Sequence, residues 1–143
     1  MASLIEKNSL LRERCFGCHE GKPFSLLKSA ARAEGKKSFT QFVPEGAETD
    51  GQVQQRCDKF VKGLLARLSA GGTDASVLVT SHGGFIRHLM IHMAGTKKVT
   101  GLPKTVALGC APNAGISMFT LNVSTSSGKL VSGECKKYYY QPY

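Results

Sequence analysis

Ser76-Val77-Leu78-Val79-Thr80-Ser81-His82-Gly83-Gly84 is the stretch on which the fold turns. Its first six residues run without alternation through apolar and β-branched types, the pattern of a strand buried on both faces. Gly83-Gly84 then opens a helix, predicted over 85–94 and closed by Gly95. A strand that feeds straight into a helix is the unit of an α/β sheet, and open α/β sheets bind ligands beyond the carboxyl ends of their strands. At that point the first turn of the helix presents N–H groups to an anion. His82 stands there, and the two glycines let the backbone come close to a phosphate. A histidine beside a glycine turn more often caps or packs, so this stretch alone does not define a function.

Upstream, Pro23 fits the first turn of a helix reaching residue 34, with Gly35 as its stop. A loop is expected over 36–47. A second helix is expected over 50–69, because Thr49 and Gln52 make a capping-box pattern and Val53, Cys57, Phe60, Leu64 and Leu68 make an apolar stripe. Downstream, after a loop with Pro103, Pro112 and Gly115, residues 116–123 and 129–135 read as two strands joined by Ser126-Ser127-Gly128. The run Lys136-Lys137-Tyr138-Tyr139-Tyr140 reads as a low-complexity tail. A doubly buried strand needs neighbours on both sides and helices over both faces. These elements leave the sheet short of strands. The expectation is therefore that the 143 residues are part of a larger fold.

Composition narrows the class. With 41% apolar and 20% charged residues in 143, a wholly disordered chain is excluded. No apolar run approaches the roughly 18 residues of a membrane-spanning helix. The first eight residues turn charged within six, unlike a secretory signal, so a cytoplasmic location is expected, with nucleus and mitochondrion left open. The net charge of +9 suits polyanions or small phosphorylated metabolites. The basic pairs Lys36-Lys37, Lys97-Lys98 and Lys136-Lys137 form no dense run, and nucleic acid is not expected as a partner. Five cysteines, an odd number, read as free thiols of a reducing compartment.

Three further patterns bear on chemistry. In Leu11-Arg12-Glu13-Arg14-Cys15-Phe16-Gly17-Cys18-His19-Glu20-Gly21, a carboxylate lies between two arginines. Beside a bound phosphate dianion such a glutamate can hold a proton to donate, although a surface ion pair would also account for it. Within the same stretch, Cys15, Cys18 and His19 match the C-x-x-C-H haem-attachment pattern, with Met90, Met93 or Met118 as an axial ligand, so a c-type haem protein is a remote alternative. His88 and His92 have a zinc-capable spacing but lack the Glu of H-E-x-x-H, and no metal is expected. Lastly, in Pro44-Glu45-Gly46-Ala47-Glu48-Thr49, Glu48 would favour the positive end of the second helix and Arg56 lies two turns along it; a capped helix explains both.

Together and in this order, Leu11-Arg12-Glu13-Arg14-x-Phe16-Gly17-x-x-Glu20-Gly21, Gly46-x-Glu48-Thr49 with Arg56, and Val77-Leu78-Val79-x-Ser81-His82-Gly83 resemble the histidine phosphatase, or phosphoglycerate-mutase-like, superfamily. Leu11 to Gly21 and Ala111-Pro112-Asn113-Ala114-Gly115-Ile116-Ser117 are most similar to fructose-2,6-bisphosphatases of the TIGAR type. The resemblance implies an α/β fold with a mixed sheet and helices on both faces. It also implies hydrolysis of a small phosphorylated substrate through a phosphohistidine. Glu13 matches the proton donor, His82 the second pocket histidine that holds the phosphoryl oxygens, and Gly83 a backbone donor to phosphate. Arg12, Lys22 and Asn113 are candidate substrate contacts, and no metal or organic cofactor is implied. Phe16 stands where many relatives have Tyr. The family opens with a strand ending in Arg-His-Gly, whose His is the nucleophile, and these 143 residues contain no Arg-His-Gly. The resemblance thus implies a C-terminal part lacking the nucleophile strand, a single incomplete domain over 1–143 with a lead over 1–9, a family-like region over 10–123 and a C-terminal strand and tail over 124–143, inactive by itself, with a non-catalytic phosphate-binding module as the alternative. An exposed strand edge would then seek a partner and promote self-association.

Overall fold

The structure, a computed structural model, describes residues 5–103 and 109–142; the first four residues of the expected lead and 104–108 of the expected loop lie outside the described residues. The chain divides into two units, one of residues 1–13 and 54–143 and one of residues 14–53. The boundary falls inside the long helix α2 (Asp50–Gly71), between Val53 and Gln54.

In the unit of residues 14–53, helix α1 (Phe24–Ala33) starts behind Pro23 and ends before Gly35, whose φ of +68° only glycine adopts cheaply. Its Leu27 and Ala31, one turn apart, are buried with Phe42, and Phe16, Ala30 and Phe39 pack around them. The first turn of α2 is built as its sequence predicts. Thr49 N–H donates to Gln52 Oε1 at 2.8 Å, and Gln52 N–H donates back to Thr49 Oγ1 at 3.2 Å.

The remaining unit holds the rest of α2, helix α3 (Gly83–Gly95) and three strands: β1 (Val99–Thr100), β2 (Ile116–Val123) and β3 (Leu130–Tyr140). The strand order is β1-β3-β2, with β1 parallel and β2 antiparallel to β3, so the sheet is mixed and the fold is α/β. The hairpin turns on Gly128 at φ +64°, and Ser69 Oγ, near the end of α2, donates to the carbonyls of Ser124 and Thr125. The strands pack closely at Gly133, where a Cβ would lie 2.7 Å from Leu121 Cδ2 and 3.3 Å from the carbonyl of Thr120. The core gathers Phe60, Val61, Leu65 and Leu130, with Leu10, Leu11, Leu64, Val79, Leu89, Val99, Leu121 and Val123 packed around them. No helix among the described residues is long and apolar enough to cross a membrane.

Four expectations need correction. Of the predicted α2 stripe, Val53, Cys57 and Phe60 are buried, but Leu64 and Leu68 are only half-buried, and Val61 and Leu65, one position away from Phe60 and Leu64, take up the buried face instead. The supposed tail Lys136–Tyr140 is part of β3, because β2 supplies it with partners as far as Ile116↔Tyr140. A two-residue strand such as β1 carries no period to read. The largest departure is at 76–81, which forms no strand. Leu78 is 89% and Val77 50% exposed, and only Val79 packs onto the core. A run of apolar residues becomes a buried strand only with a ladder on each side, and among the described residues none pairs with it.

Candidate active site

The turn after residue 81 behaves as a helix N-terminus with an unusual cap. His82 is extended, at φ −118° and ψ 160°, and its carbonyl accepts the N–H of Ile86 at 2.8 Å, while its side chain makes no capping bond and is exposed. The cap comes from far upstream. Glu13 Oε2 accepts from Gly84 N–H and Oε1 from Phe85 N–H, both at 3.0 Å. A carboxylate on two free amides of a first helical turn has both hydrogen bonding and the helix dipole in its favour. Gly84 makes this fit: a Cβ there would sit 2.6 Å from Glu13 Oε1.

Gly83 is small for a different reason. Its Cβ would lie 3.0 Å from the carbonyl of Ala111 and 3.4 Å from Cys110 Cβ, and its own carbonyl accepts from Ala111 N–H at 3.3 Å. The chain at 110–111 therefore lies along the start of α3. Loss of hydration pushes the Cys110 thiol up, Arg87 pulls it back, and the charge of Glu13 pushes it up again, so this thiol feels both flanks of the turn.

The segment that carries Glu13 is held by its carbonyls. Arg56 Nη1 donates to Leu10 O at 2.6 Å and to Arg12 O at 3.0 Å, and Nη2 donates to Glu13 O at 3.4 Å. Ser81 Oγ donates to Leu11 O at 2.6 Å. The predicted site residues separate accordingly. The carboxylate of Glu13 sits on the first turn of α3, of which His82 is the N-cap and Gly83 the first residue. Arg12 and Asn113 are exposed in the same unit, Asn113 on a turn closed by Gly115 N–H to Pro112 O at 3.0 Å. Lys22 is exposed in the other unit, just before α1.

In that other unit, the remaining motif residues build structure. Arg14, 5% exposed, donates to the carbonyls of Glu48 at 2.8 Å, Thr40 at 3.1 Å and Phe42 at 2.9 Å, and pairs with Asp50 at 3.3 Å. Glu48 accepts from Cys15 N–H at 2.9 Å, a tie to the preceding motif that its place near the start of α2 did not predict. Gly17, at φ +56°, passes so close to the carbonyl of Glu45 that a Cβ would lie 2.1 Å from it. Cys15 Sγ lies 3.8 Å from Gly46 O, Cys18 is exposed, and the His19 ring meets Phe42 edge-on at 5.9 Å. On α3, His88 is buried and His92 Nδ1 lies 3.1 Å from Asp58 Oδ1.

The sequence motifs include Arg56, Ser81 and Gly84 but assign them no part in holding Glu13, and Phe85 and Cys110 stand outside the motifs. The doubled glycine was the available signal for Gly84. The side chain of Arg56 reaches back more than 40 residues, and no helical spacing encodes that.

The chain belongs to the histidine phosphatase superfamily (branch 1), whose sequence profile matches residues 3–127. Among individual proteins it is similar to fructose-2,6-bisphosphatase TIGAR B of Danio rerio, at 32% identity over 143 residues, which covers 80% of this chain and 55% of the relative. It is also similar to fructose-2,6-bisphosphatase TIGAR of Bos taurus (27% over 175 residues, 92% of this chain and 64% of the relative) and of Mus musculus (29% over 163 residues, 82% and 60%). The chain thus spans 55 to 64% of the length of these relatives.

Proposed function

We propose that this chain is the part of a sugar-phosphate phosphatase that holds the phosphoryl group and carries the proton donor, with fructose 2,6-bisphosphate as substrate. The observation that carries the reading is the carboxylate of Glu13 fixed on the Gly84 and Phe85 amides, at the helix start where His82 and Gly83 stand. Family membership and the names of the relatives support the substrate class.

In this reading an upstream Arg-His-Gly histidine attacks phosphorus. The bond from phosphorus to the ester oxygen breaks, and Glu13 gives that oxygen a proton. Water then attacks the phosphohistidine, Glu13 takes a proton from it, and phosphate leaves. His82 and the N–H of Gly83 hold the phosphoryl oxygens as charge builds on them. Arg12 and Asn113 contact the rest of the substrate. The 143 residues contain no Arg-His-Gly, so alone they bind without turning over, and the unpaired stretch at 76–81 promotes self-association.

The test is phosphate release from fructose 2,6-bisphosphate by a protein carrying the Arg-His-Gly segment ahead of these residues. His82→Ala and Glu13→Gln should each lose on the order of 10²–10³ in turnover. Undiminished rates in both variants would end the assignment. Both oxygens of Glu13 accept from amides, which also favours a second reading, a phosphate-binding module with no catalytic role. Turnover separates the two: in calorimetry both bind sugar bisphosphates, but adding the Arg-His-Gly segment gives the module no turnover.

A further inference from the structure

Arg56 is 9% exposed, too deep for a solvated surface charge. Its fork reaches the carbonyls of Leu10, Arg12 and Glu13, a segment opened by the short 3-10 turn Ser9–Leu11. On its other side, the guanidinium carbon lies 5.2 Å from the centroid of the fully buried Phe85 ring. Phe85 supplies one of the two amides that grip the Glu13 carboxylate. One side chain therefore touches both the main chain that carries Glu13 and the residue that orients its oxygens. A rigid planar fork of donors with a flat face for stacking is what a guanidinium has and an ammonium lacks.

We propose that Arg56 is the positioning residue for Glu13, joining the backbone of residues 10–13 to the start of α3 so that the carboxylate is aimed and not merely tethered. The inference rests on the role proposed above for Glu13, but its geometry can be tested without turnover. A carboxylate that accepts from an amide moves that amide's resonance as it titrates. In nitrogen-15 spectra of the full chain, the Gly84 and Phe85 amides should shift together with pH, and Glu13→Gln should abolish the shift.

Arg56→Ala should abolish most of the concerted shift and speed exchange of both amides about ten-fold, the loss expected from one hydrogen bond to a charged group. Signals from the middle of α2 should stay dispersed. Arg56→Lys, which keeps charge and size, should give a partial loss, and it decides the matter where the alanine variant does not fold. A folded Arg56→Ala or Arg56→Lys chain with the full concerted shift would overturn the proposal. The catalytic reading fails by a separate sign: Glu13→Gln with wild-type turnover in the protein carrying the Arg-His-Gly segment, whatever the amides do.

Discussion

A carboxylate that serves as a helix cap and a carboxylate that transfers a proton place different demands on their surroundings, and Gly84 is where the two can be separated. Alanine at 84 would improve helix propensity by about 1 kcal/mol. Its Cβ would fall 2.6 Å from Glu13 Oε1, and the carboxylate, being the end of a flexible side chain, can yield. The lost cap costs about the same again. Gly84→Ala should therefore leave the melting curve almost unmoved while turning the carboxylate away from the helix start. In the protein with the Arg-His-Gly segment, phosphate release should fall by about 10- to 100-fold, a fraction of the general-acid contribution. Equal losses in stability and activity would show that Gly84 serves packing alone. At this scale the sequence is a partial guide: Glu13 and His82 stand out by motif, but the bond that joins Glu13 to Gly84 spans 71 residues and leaves no local trace.

Among the elements, the loops of the unit of residues 14–53 depend on Arg14, whose fork holds the carbonyls of Thr40 and Phe42 at one 3-10 turn and of Glu48 ahead of α2. Arg14→Lys keeps the charge but offers a single point of contact. Buried carbonyls left without donors cost about 1–3 kcal/mol each. The substitution should destabilise this unit by about 2–4 kcal/mol, read as earlier melting and as faster exchange of the Ala47 and Glu48 amides, with the β2–β3 hairpin amides unaffected. Unchanged exchange in both places would contradict it. The helices were legible because each has local punctuation: Pro23 and Gly35, the Thr49–Gln52 box, and Gly83-Gly84 with Gly95. The hairpin was legible from its turn. The stretch 76–81 was misread because its apolar pattern states what it would bury if paired, whereas pairing is a property of other strands.

For the molecule as a whole, all five cysteines are free thiols, and three of them sit where burial opposes ionisation. Cys57 is the clearest case: it is fully buried in α2, and loss of hydration pushes it up to about 11 against an ordinary 9, with Arg56 beside it pulling only partly back. Because the folded value is the higher one, the neutral thiol favours the fold below pH about 9, and that advantage is lost as pH rises through about 11. Between pH 8 and 11 the loss amounts to about 2 kcal/mol for this one group. Tyr139, also pushed up by burial, adds to the same alkaline limb. An opposing effect comes from the net charge of +9, since ionising thiols relieve repulsion among the lysines. Exposed charges of that kind are screened at ordinary salt, so the buried groups should decide the sign. Thermal melts at 0.15 M salt should therefore show stability falling from pH 9 to 11, and Cys57→Ala should flatten part of that fall although it costs stability at neutral pH. A stability curve that is level or rising over this range, or one that Cys57→Ala leaves unaltered, would mean that the thiol at 57 ionises in the folded protein as freely as in the unfolded chain.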